Sequence, residues 1–317
     1  MNELKNIRTK NMSNKIIYII LAFVVVVLAI SFLTRTDSTE QDPDKIVALS
    51  TFTVLADMVS EVGGSRVESI SLTRPGVEVH DYEPTPSDLR RAARAQIIFE
   101  NGLGLEEWIQ QLGTNVPDVP TFNASEGVEV LFIASDEAAG QPDPHAWMSP
   151  EQGLIYVENI RQALTEIAPE HADYFATNAT AYGEQISAVG SQLETLFATI
   201  PEDNRVLVTC EGAFKYLAND YGLEEVYIWA SNAEEEGTPQ QVARVIDLVN
   251  ERQVPAVFCE STVGPQIQQE VVAATDAEFG GILYVDSLSP EDGPAPTYLE
   301  LLEYTANTIT AGLASSQ

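Results

Sequence analysis

The feature that most constrains the fold of this chain is an alternation of β-rich and helical runs, which begins at residue 45. The β-rich runs of the first half are "KIVALS" (45–50), "VESISL" (67–72) and "QIIFEN" (96–101). Helical runs follow them at 52–64, 85–95 and 105–113. Repeated β-α alternation predicts a mainly parallel, doubly wound sheet, because parallel strands need a crossover between them.

A stretch without any strand signal, residues 169–200, interrupts the alternation. Its apolar side chains recur with helical spacing, at Tyr182, Ile186, Val189, Leu193, Leu196 and Phe197. Such a stripe predicts one long helix with a single buried face. Between two α/β halves this helix would act as a rigid spine.

The alternation resumes after the spine. Strands are predicted at 205–210, 225–230, 255–261 and 281–287, and helices at 212–221, 239–252, 265–275 and 297–313. The predicted fold class is therefore α/β, with two doubly wound lobes of mainly parallel sheet joined by a long helix. We expect an N-terminal lobe over 45–168, a linker helix over 169–200 and a C-terminal lobe over 201–317.

The N-terminus indicates export. A basic region, residues 1–15, precedes the uncharged apolar run "IIYIILAFVVVVLAISFL" (16–33), and a polar tether follows at 34–44. This arrangement is typical of a signal peptide. The apolar run is also just long enough to span a bilayer, so a retained membrane anchor is the alternative. In both cases the folded part lies outside the cytoplasmic membrane, in the periplasm or at the cell surface.

The charge balance excludes one class of partner. The chain has 16 Lys and Arg against 48 Asp and Glu, a formal charge of −32. Nucleic-acid binding needs a basic face, so we expect no nucleic-acid partner. Acidity alone is typical of a solvated surface, and it does not localise a cation site.

Two of the three histidines are candidate metal ligands. His80, in "GVEVHDYEPTPSD", and His145, in "QPDPHAWMSP", each lie beside acids in a loop that proline restricts. His171 precedes the spine without an evident partner, and we expect an exposed or hydrogen-bonded imidazole there.

Two carboxylates complete the candidate site. Glu211 follows the predicted strand 205–210, and Asp286 ends the predicted strand 281–287. Ligands of open parallel sheets bind outside the carboxyl ends of the strands. Two neutral imidazoles and two carboxylates would balance a divalent cation and suit manganese, iron or zinc. Spacing alone does not establish the site, because any acidic α/β protein has acids at strand ends.

From about residue 45 to its C-terminus the chain resembles a known family. The segments that carry the likeness are "GVEVHDYEPTPSDLR", "IIFENGLGLEEW", "DPHAWMSP", "TCEGAFKYLANDYGL", "NAEEEGTPQQV", "ESTVGPQ" and "LYVDSLSPEDGPAPTYLELL". They resemble the solute-binding proteins that serve as manganese, zinc or iron receptors of bacterial ABC importers. The resemblance implies metal ligands at His80, His145, Glu211 and Asp286, and a permease with its ATPase as partner. It implies no enzymatic activity, and we expect a monomer.

Two positions bear on the branch of this family. Zinc receptors of the family typically carry His where this chain has Glu211, and the loop "IASDEAAGQPD" has no His. The resemblance is therefore to the manganese-type branch, especially members with a cysteine pair, and zinc or iron remains the alternative. Many members are lipoproteins acylated on a cysteine after the export signal. No cysteine precedes Cys210 here, so we expect anchoring through 16–33 or a free soluble form.

Two other functions compete with metal transport. A metal-dependent hydrolase would need an open coordination position and a nearby base, for which Asp81 and Glu83 are available. The sequence has no HExxH, no GxSxG and no phosphate-binding glycine loop. An adhesin-like surface role is the other competitor. The acidic run "NAEEEG" (232–237) is either a permease contact or a solvated loop.

The two cysteines, Cys210 and Cys259, are predicted to form a disulfide. Export favours pairing over free thiols. A doubly wound order would also place strand 205–210 beside strand 255–261. The alternative is a pair of buried thiols. We further expect the bridge to hold Glu211 in place, so that its reduction weakens metal binding.

Overall fold

The structure is a computed structural model that describes residues 45–134, 138–231 and 237–314. The predicted segments 1–15, 16–33 and 34–44 lie outside the described residues, as does most of the acidic run 232–237. Among the described residues, no helix combines the length and apolarity needed to cross a membrane. Residues from Asp44 onward form one compact unit.

The first sheet has four parallel strands in the order β2-β1-β3-β4. The strands are β1 (Ile46–Ser50), β2 (Val67–Ser71), β3 (Ile97–Glu100) and β4 (Thr121–Asn123), and the helices between them are α1 (Thr53–Gly63), α2 (Pro86–Ala92) and α3 (Ile109–Asn115). Strand β1 is central and nearly all buried, as expected for a parallel sheet covered on both faces. Strand β4 is an addition to the three predicted strands.

Two helices connect the sheets. Helix α4 (Pro150–Ile167) was not predicted, and helix α5 (Ala172–Phe197) is the predicted spine. A 3-10 turn at Pro169–His171 replaces the first part of the predicted range. The spine buries its stripe from Tyr182 to Phe197, as the periodicity predicts.

The second sheet repeats the topology of the first, with parallel strands in the order β6-β5-β7-β8. The strands are β5 (Val206–Gly212), β6 (Glu224–Ala230), β7 (Ala256–Glu260) and β8 (Glu278–Leu283), and the helices are α6 (Lys215–Tyr221), α7 (Pro239–Arg252), α8 (Gln266–Ala274) and α9 (Tyr298–Leu313). The predicted class of two doubly wound α/β lobes with a long connecting helix is confirmed.

Both sheets contribute to a common apolar core. Phe99 of the first sheet and Phe258 of the second belong to the same buried cluster as Tyr182 of the spine and Leu302 of α9. The lobes are therefore packed together over the spine.

The predicted strand 281–287 is wrong at both ends. Strand β8 runs from Glu278 to Leu283, so Asp286 lies three residues beyond it. The ladder stops because the backbone of Tyr284 bonds to a helix: its N–H donates to Thr305 Oγ1 at 3.3 Å, and its carbonyl accepts from that hydroxyl at 3.0 Å.

Two predicted helices begin later than expected. The helix predicted at 212–221 begins at Lys215, because β5 continues through Glu211 to Gly212, which pairs with Ala230. The helix predicted at 105–113 begins at Ile109. Before it, the Glu106 carboxylate accepts from the N–H groups of Asn101 and Gly102 and so stabilises a turn.

Candidate metal centre

His80 comes from the loop between β2 and α2, and this loop is fixed by its own hydrogen bonds. Glu78 Oε1 accepts from the N–H groups of Val79 at 2.7 Å and His80 at 3.1 Å. The carbonyl of Val79 accepts from Trp108 Nε1 at 2.8 Å. The backbone that carries His80 is therefore held on both sides of the sheet edge.

His145 lies in the segment that leads into α4, and it is completely buried. Asp143 Oδ1 accepts from the His145 backbone N–H and lies 3.0 Å from its Nδ1. A carboxylate at this distance places the proton on Nδ1 and leaves the Nε2 lone pair free for a metal.

Glu211 is the second-last residue of β5. Its N–H donates to Oε2 of Glu260, the last residue of β7, at 3.2 Å. One residue before each of these acids, Cys210 and Cys259 form a buried disulfide with a Cα–Cα distance of 4.9 Å. The predicted bridge is thus present and joins β5 to β7 directly behind Glu211.

Asp286 follows β8 in a segment, residues 285–298, that is hydrogen-bonded to the first lobe. The bonds on either side of Asp286 run from Trp147 Nε1 to the Val285 carbonyl at 3.1 Å, from the Gly76 N–H to Ser287 Oγ at 2.7 Å and from the Leu288 N–H to Thr53 Oγ1 at 2.9 Å. Farther along, the Tyr298 N–H donates to Asp57 Oδ2 at 2.8 Å. The backbone around Asp286 is therefore fixed to the lobe that supplies both histidines.

The four predicted residues meet at one point. His80 Nε2 lies 3.3 Å from His145 Nε2, 3.6 Å from Glu211 Oε1 and 4.0 Å from Asp286 Oδ1. His145 Nε2 lies 3.3 Å from Asp286 Oδ1. Four ligands at about 2.1 Å from a tetrahedral ion are about 3.4 Å apart. The observed separations are close to this value.

The environment of Asp286 fits a cation. Its side chain is completely buried, and neither carboxylate oxygen accepts a hydrogen bond from the described residues. A buried carboxylate without a donor is costly, and an ion bound to it removes that cost. The third histidine, His171, does not join the site, and its ring packs against Phe175.

Electrostatics couple His145 to its neighbours. Burial lowers the pKa of His145, but the carboxylates of Asp286 and Asp143 outweigh burial and raise this pKa well above the usual value. Burial in turn raises the pKa of Asp286, and His145 and His80 outweigh it, so the pKa of Asp286 is lowered. Without metal the pair is therefore an imidazolium and a carboxylate.

Sequence reasoning missed three acids beside the ligands. Asp143 and Glu78 each precede a ligand histidine by two residues, and Glu260 follows Cys259 directly. Each bonds to the backbone of a ligand residue. The recurring acid-x-His spacing is the signal that was available for the first two.

Comparison with known proteins identifies the family. The profile of the family described as ZnuA, zinc-uptake complex component A periplasmic, matches residues 48–312. The chain belongs to this family. The resemblance inferred from the sequence motifs is thereby confirmed, and with it an extracytoplasmic metal-binding component of an ABC importer rather than an enzyme.

Individual relatives cover most of this family member. It is 46% identical over 268 residues to the iron-binding protein YfeA of Yersinia pestis, which spans 84% of this chain and 86% of the relative. It is 31% identical over 306 residues to the manganese ABC transporter substrate-binding lipoprotein PsaA of Streptococcus pneumoniae, spanning 94% and 99% of the two chains.

Solved structures have the same fold. The manganese-bound periplasmic metal-binding protein of Candidatus Liberibacter asiaticus superposes with a TM-score of 0.78 at 34% identity, over 85% of this chain and all of that one. The periplasmic zinc-binding protein TroA of Treponema pallidum superposes with a TM-score of 0.80 at 25% identity, over 86% of this chain and all of the other.

Proposed function

We propose that His80, His145, Glu211 and Asp286 bind one divalent transition metal ion, which the protein passes to the permease of an ABC importer. The observation that supports this most is the convergence of two imidazole nitrogens on two buried carboxylates, one of which accepts no hydrogen bond. The ion is cargo, and no reaction on it is required.

Manganese is the ion we assign to the site. Two carboxylates supply half of the ligands, and oxygen ligands favour manganese more than a nitrogen- and sulfur-rich site would. Relatives named for manganese support this assignment, whereas YfeA is named for iron and TroA for zinc. Iron and zinc are therefore the competing cargoes of the same four residues.

The residues divide the work of binding. The histidines bind through Nε2 as neutral ligands, with Asp143 holding the proton of His145 on Nδ1. Glu211 and Asp286 neutralise the two positive charges of the ion. Metal uptake must displace the proton that His145 holds in the free protein, since an imidazolium cannot act as a ligand.

The same proposal covers the parts of the chain around the site. Residues 45–168 and 201–317 act as the two metal-binding lobes, residues 169–200 link them, and the protein works as a monomer. Relatives are named lipoproteins, but this sequence has no cysteine before Cys210. We assign the membrane attachment, if the export segment is retained, to residues 16–33.

Calorimetry with Mn²⁺ on single variants tests the site. His80→Ala and Asp286→Ala should each weaken binding at least about a hundredfold, because each removes a ligand from a buried site. His171→Ala is the matched control, since its imidazole lies outside the site, and it should bind like the wild type. Wild-type affinity in both ligand variants would reject the proposal.

A further inference from the structure

A third carboxylate lies at the proposed metal centre, and the four-ligand proposal does not use it. A carboxylate oxygen of Glu78 lies within 4.8 Å of carboxylate oxygens on both Glu211 and Asp286. Glu78 is two residues before His80, so it is carried by the same short loop as a ligand. Any role for Glu78 in metal binding rests on the function proposed above.

Convergence of three carboxylates needs a compensating charge. Like charges at this separation repel, and the repulsion grows where side chains are withdrawn from water. Glu211 and Asp286 are both buried, and Asp286 accepts no hydrogen bond that would disperse its charge. A cation among the three carboxylates supplies the missing attraction.

The hydrogen bonds of Glu78 leave it able to bind an ion. The N–H groups of Val79 and His80 both donate to Oε1. An ionised carboxylate has about four acceptor positions on its two oxygens, so two such bonds occupy about half of them. They also fix the side chain against its own loop, which lowers the entropy cost of holding it beside an ion.

We propose that Glu78 contributes a third carboxylate to the bound ion and thereby makes the site selective for manganese over zinc. With Glu78 the ligand set is two nitrogens and at least three carboxylate oxygens. Zn²⁺ in proteins is mostly four-coordinate, whereas Mn²⁺ suits oxygen-rich sites of higher coordination number. A fifth, anionic ligand therefore stabilises bound Mn²⁺ more than bound Zn²⁺.

Glu78 also has a second role that must be separated from the first. By accepting from the His80 N–H it positions the loop, and a variant that loses this bond would misplace His80. Glu78→Gln separates the two roles, because a glutamine carbonyl oxygen still accepts from both N–H groups but carries no charge. Glu78→Ala removes both roles together.

The experiment measures Mn²⁺ and Zn²⁺ affinities of the full folded protein by calorimetry with chelator competition. Glu78→Gln should weaken Mn²⁺ binding about tenfold or more, and should leave the Zn²⁺ affinity within a factor of about three. Glu83→Gln is the matched control: it removes the same charge from the same loop at an exposed position, and it should change neither affinity.

A spectroscopic measurement reports the ligand directly. Oxygen-17 electron–nuclear double resonance counts the water molecules on bound Mn²⁺, and Glu78→Gln should add one where the carboxylate was. This number would not change if Glu78 only positioned the loop.

The outcomes separate this inference from the function on which it rests. Unchanged Mn²⁺ affinity in Glu78→Gln, or an equal loss for both metals, overturns the role of Glu78 and leaves the four-ligand site intact. Weak binding in Glu78→Ala with normal binding in Glu78→Gln reduces Glu78 to a positioning residue and also overturns it. Metal binding that survives His80→Ala and Asp286→Ala rejects the site itself.

Discussion

At the scale of single residues, the site depends on a proton as much as on a metal. In the free protein Asp286 and Asp143 outweigh the effect of burial and raise the pKa of His145 well above its usual value. The proton on Nε2 and the metal compete for the same lone pair. Metal affinity is thus linked to pH through a residue that no solvent reaches.

Metal uptake should therefore release protons near neutral pH. Below the raised pKa His145 is protonated in the free protein and deprotonated in the complex, so about one proton leaves per ion and affinity rises with pH. The rise should continue above about pH 6.5, where an ordinary imidazole is already neutral. Calorimetry in two buffers of different ionisation enthalpy counts the protons.

Two results would contradict this expectation. One is zero proton release at pH 7, and the other is an affinity that stops rising below pH 6.5. His171→Ala serves as the control, since its exposed imidazole is outside the site and its loss should not change the proton count.

The four ligands could be predicted from the sequence because each follows from chain geometry. Proline-restricted loops hold His80 and His145, and parallel strands bring Glu211 and Asp286 to one edge. The roles of Glu78 and Asp143 could not be predicted in this way. They depend on which side-chain rotamer turns back to the backbone, and residue spacing alone does not determine that.

At the scale of elements, the disulfide joins β5 and β7 at the point where the sheet presents Glu211. The two cysteines are 49 residues apart. Closing a loop of this length restricts the unfolded chain, which stabilises the fold by about 4 kcal/mol in the entropic account. The bridge also lies one residue from the hydrogen bond between the Glu211 N–H and Glu260.

Replacing both cysteines by alanine should lower the free energy of unfolding by about 2–4 kcal/mol in urea titrations. It should also weaken Mn²⁺ binding, because β5 is then less firmly held behind Glu211. Reductant should reproduce both effects in the wild type and have none in the double variant. Equal Mn²⁺ affinity with and without the bridge would show that it stabilises the lobe alone.

The contact between α4 and α9 is made close by a glycine. A Cβ added at Gly153 would overlap the Tyr298 hydroxyl, which donates to the Trp147 carbonyl at 2.6 Å. Gly153→Ala should therefore cost about 1–3 kcal/mol of stability through overpacking.

Gly183→Ala on the spine is the matched control for this change. Its nearest neighbour would be a Leu154 methyl carbon at 3.4 Å, an ordinary contact. Helix propensity should then make this variant up to about 1 kcal/mol more stable. Thermal and urea unfolding of both variants tests the pair, and a neutral Gly153→Ala would contradict the close packing inferred here.

Element types were predictable where periodicity is strong, and element ends were not. The predicted range 239–252 matches α7 at both ends, since Thr238 caps it and Pro239 begins it. Strand β8 ends early because Thr305, far along the chain, bonds to the backbone of Tyr284. Helix α4 was missed because its buried residues, among them Gly153 and Tyr156, form a weak stripe.

At the scale of the whole molecule, the lobes share a core, and the segment 285–298 bonds across them. Thr53 Oγ1 accepts from the Leu288 N–H, which is two residues beyond Asp286, and the bond is buried. The position of a second-lobe ligand is thus set partly by first-lobe side chains.

Thr53→Val keeps the shape of the side chain and removes this acceptor. The buried Leu288 N–H is then unsatisfied, which should cost about 1–3 kcal/mol of stability and weaken Mn²⁺ binding through Asp286. The control is Thr73→Val, because the Thr73 hydroxyl is buried without a hydrogen bond and its loss should cost nothing. Equal unfolding curves and equal Mn²⁺ affinities for the two variants would contradict this role of Thr53.

The attachment of Asp286 to the first lobe also fixes the order in which ligands engage an incoming ion. His80, His145 and Asp286 form a preassembled trio, whereas Glu211 belongs to a strand of the other sheet. Capture then completes with Glu211 and, by microscopic reversibility, escape begins with it. A transport partner that draws β5 outward would act on the dissociation rate while the trio still holds the ion, so the cargo leaves through three-coordinate intermediates rather than all at once.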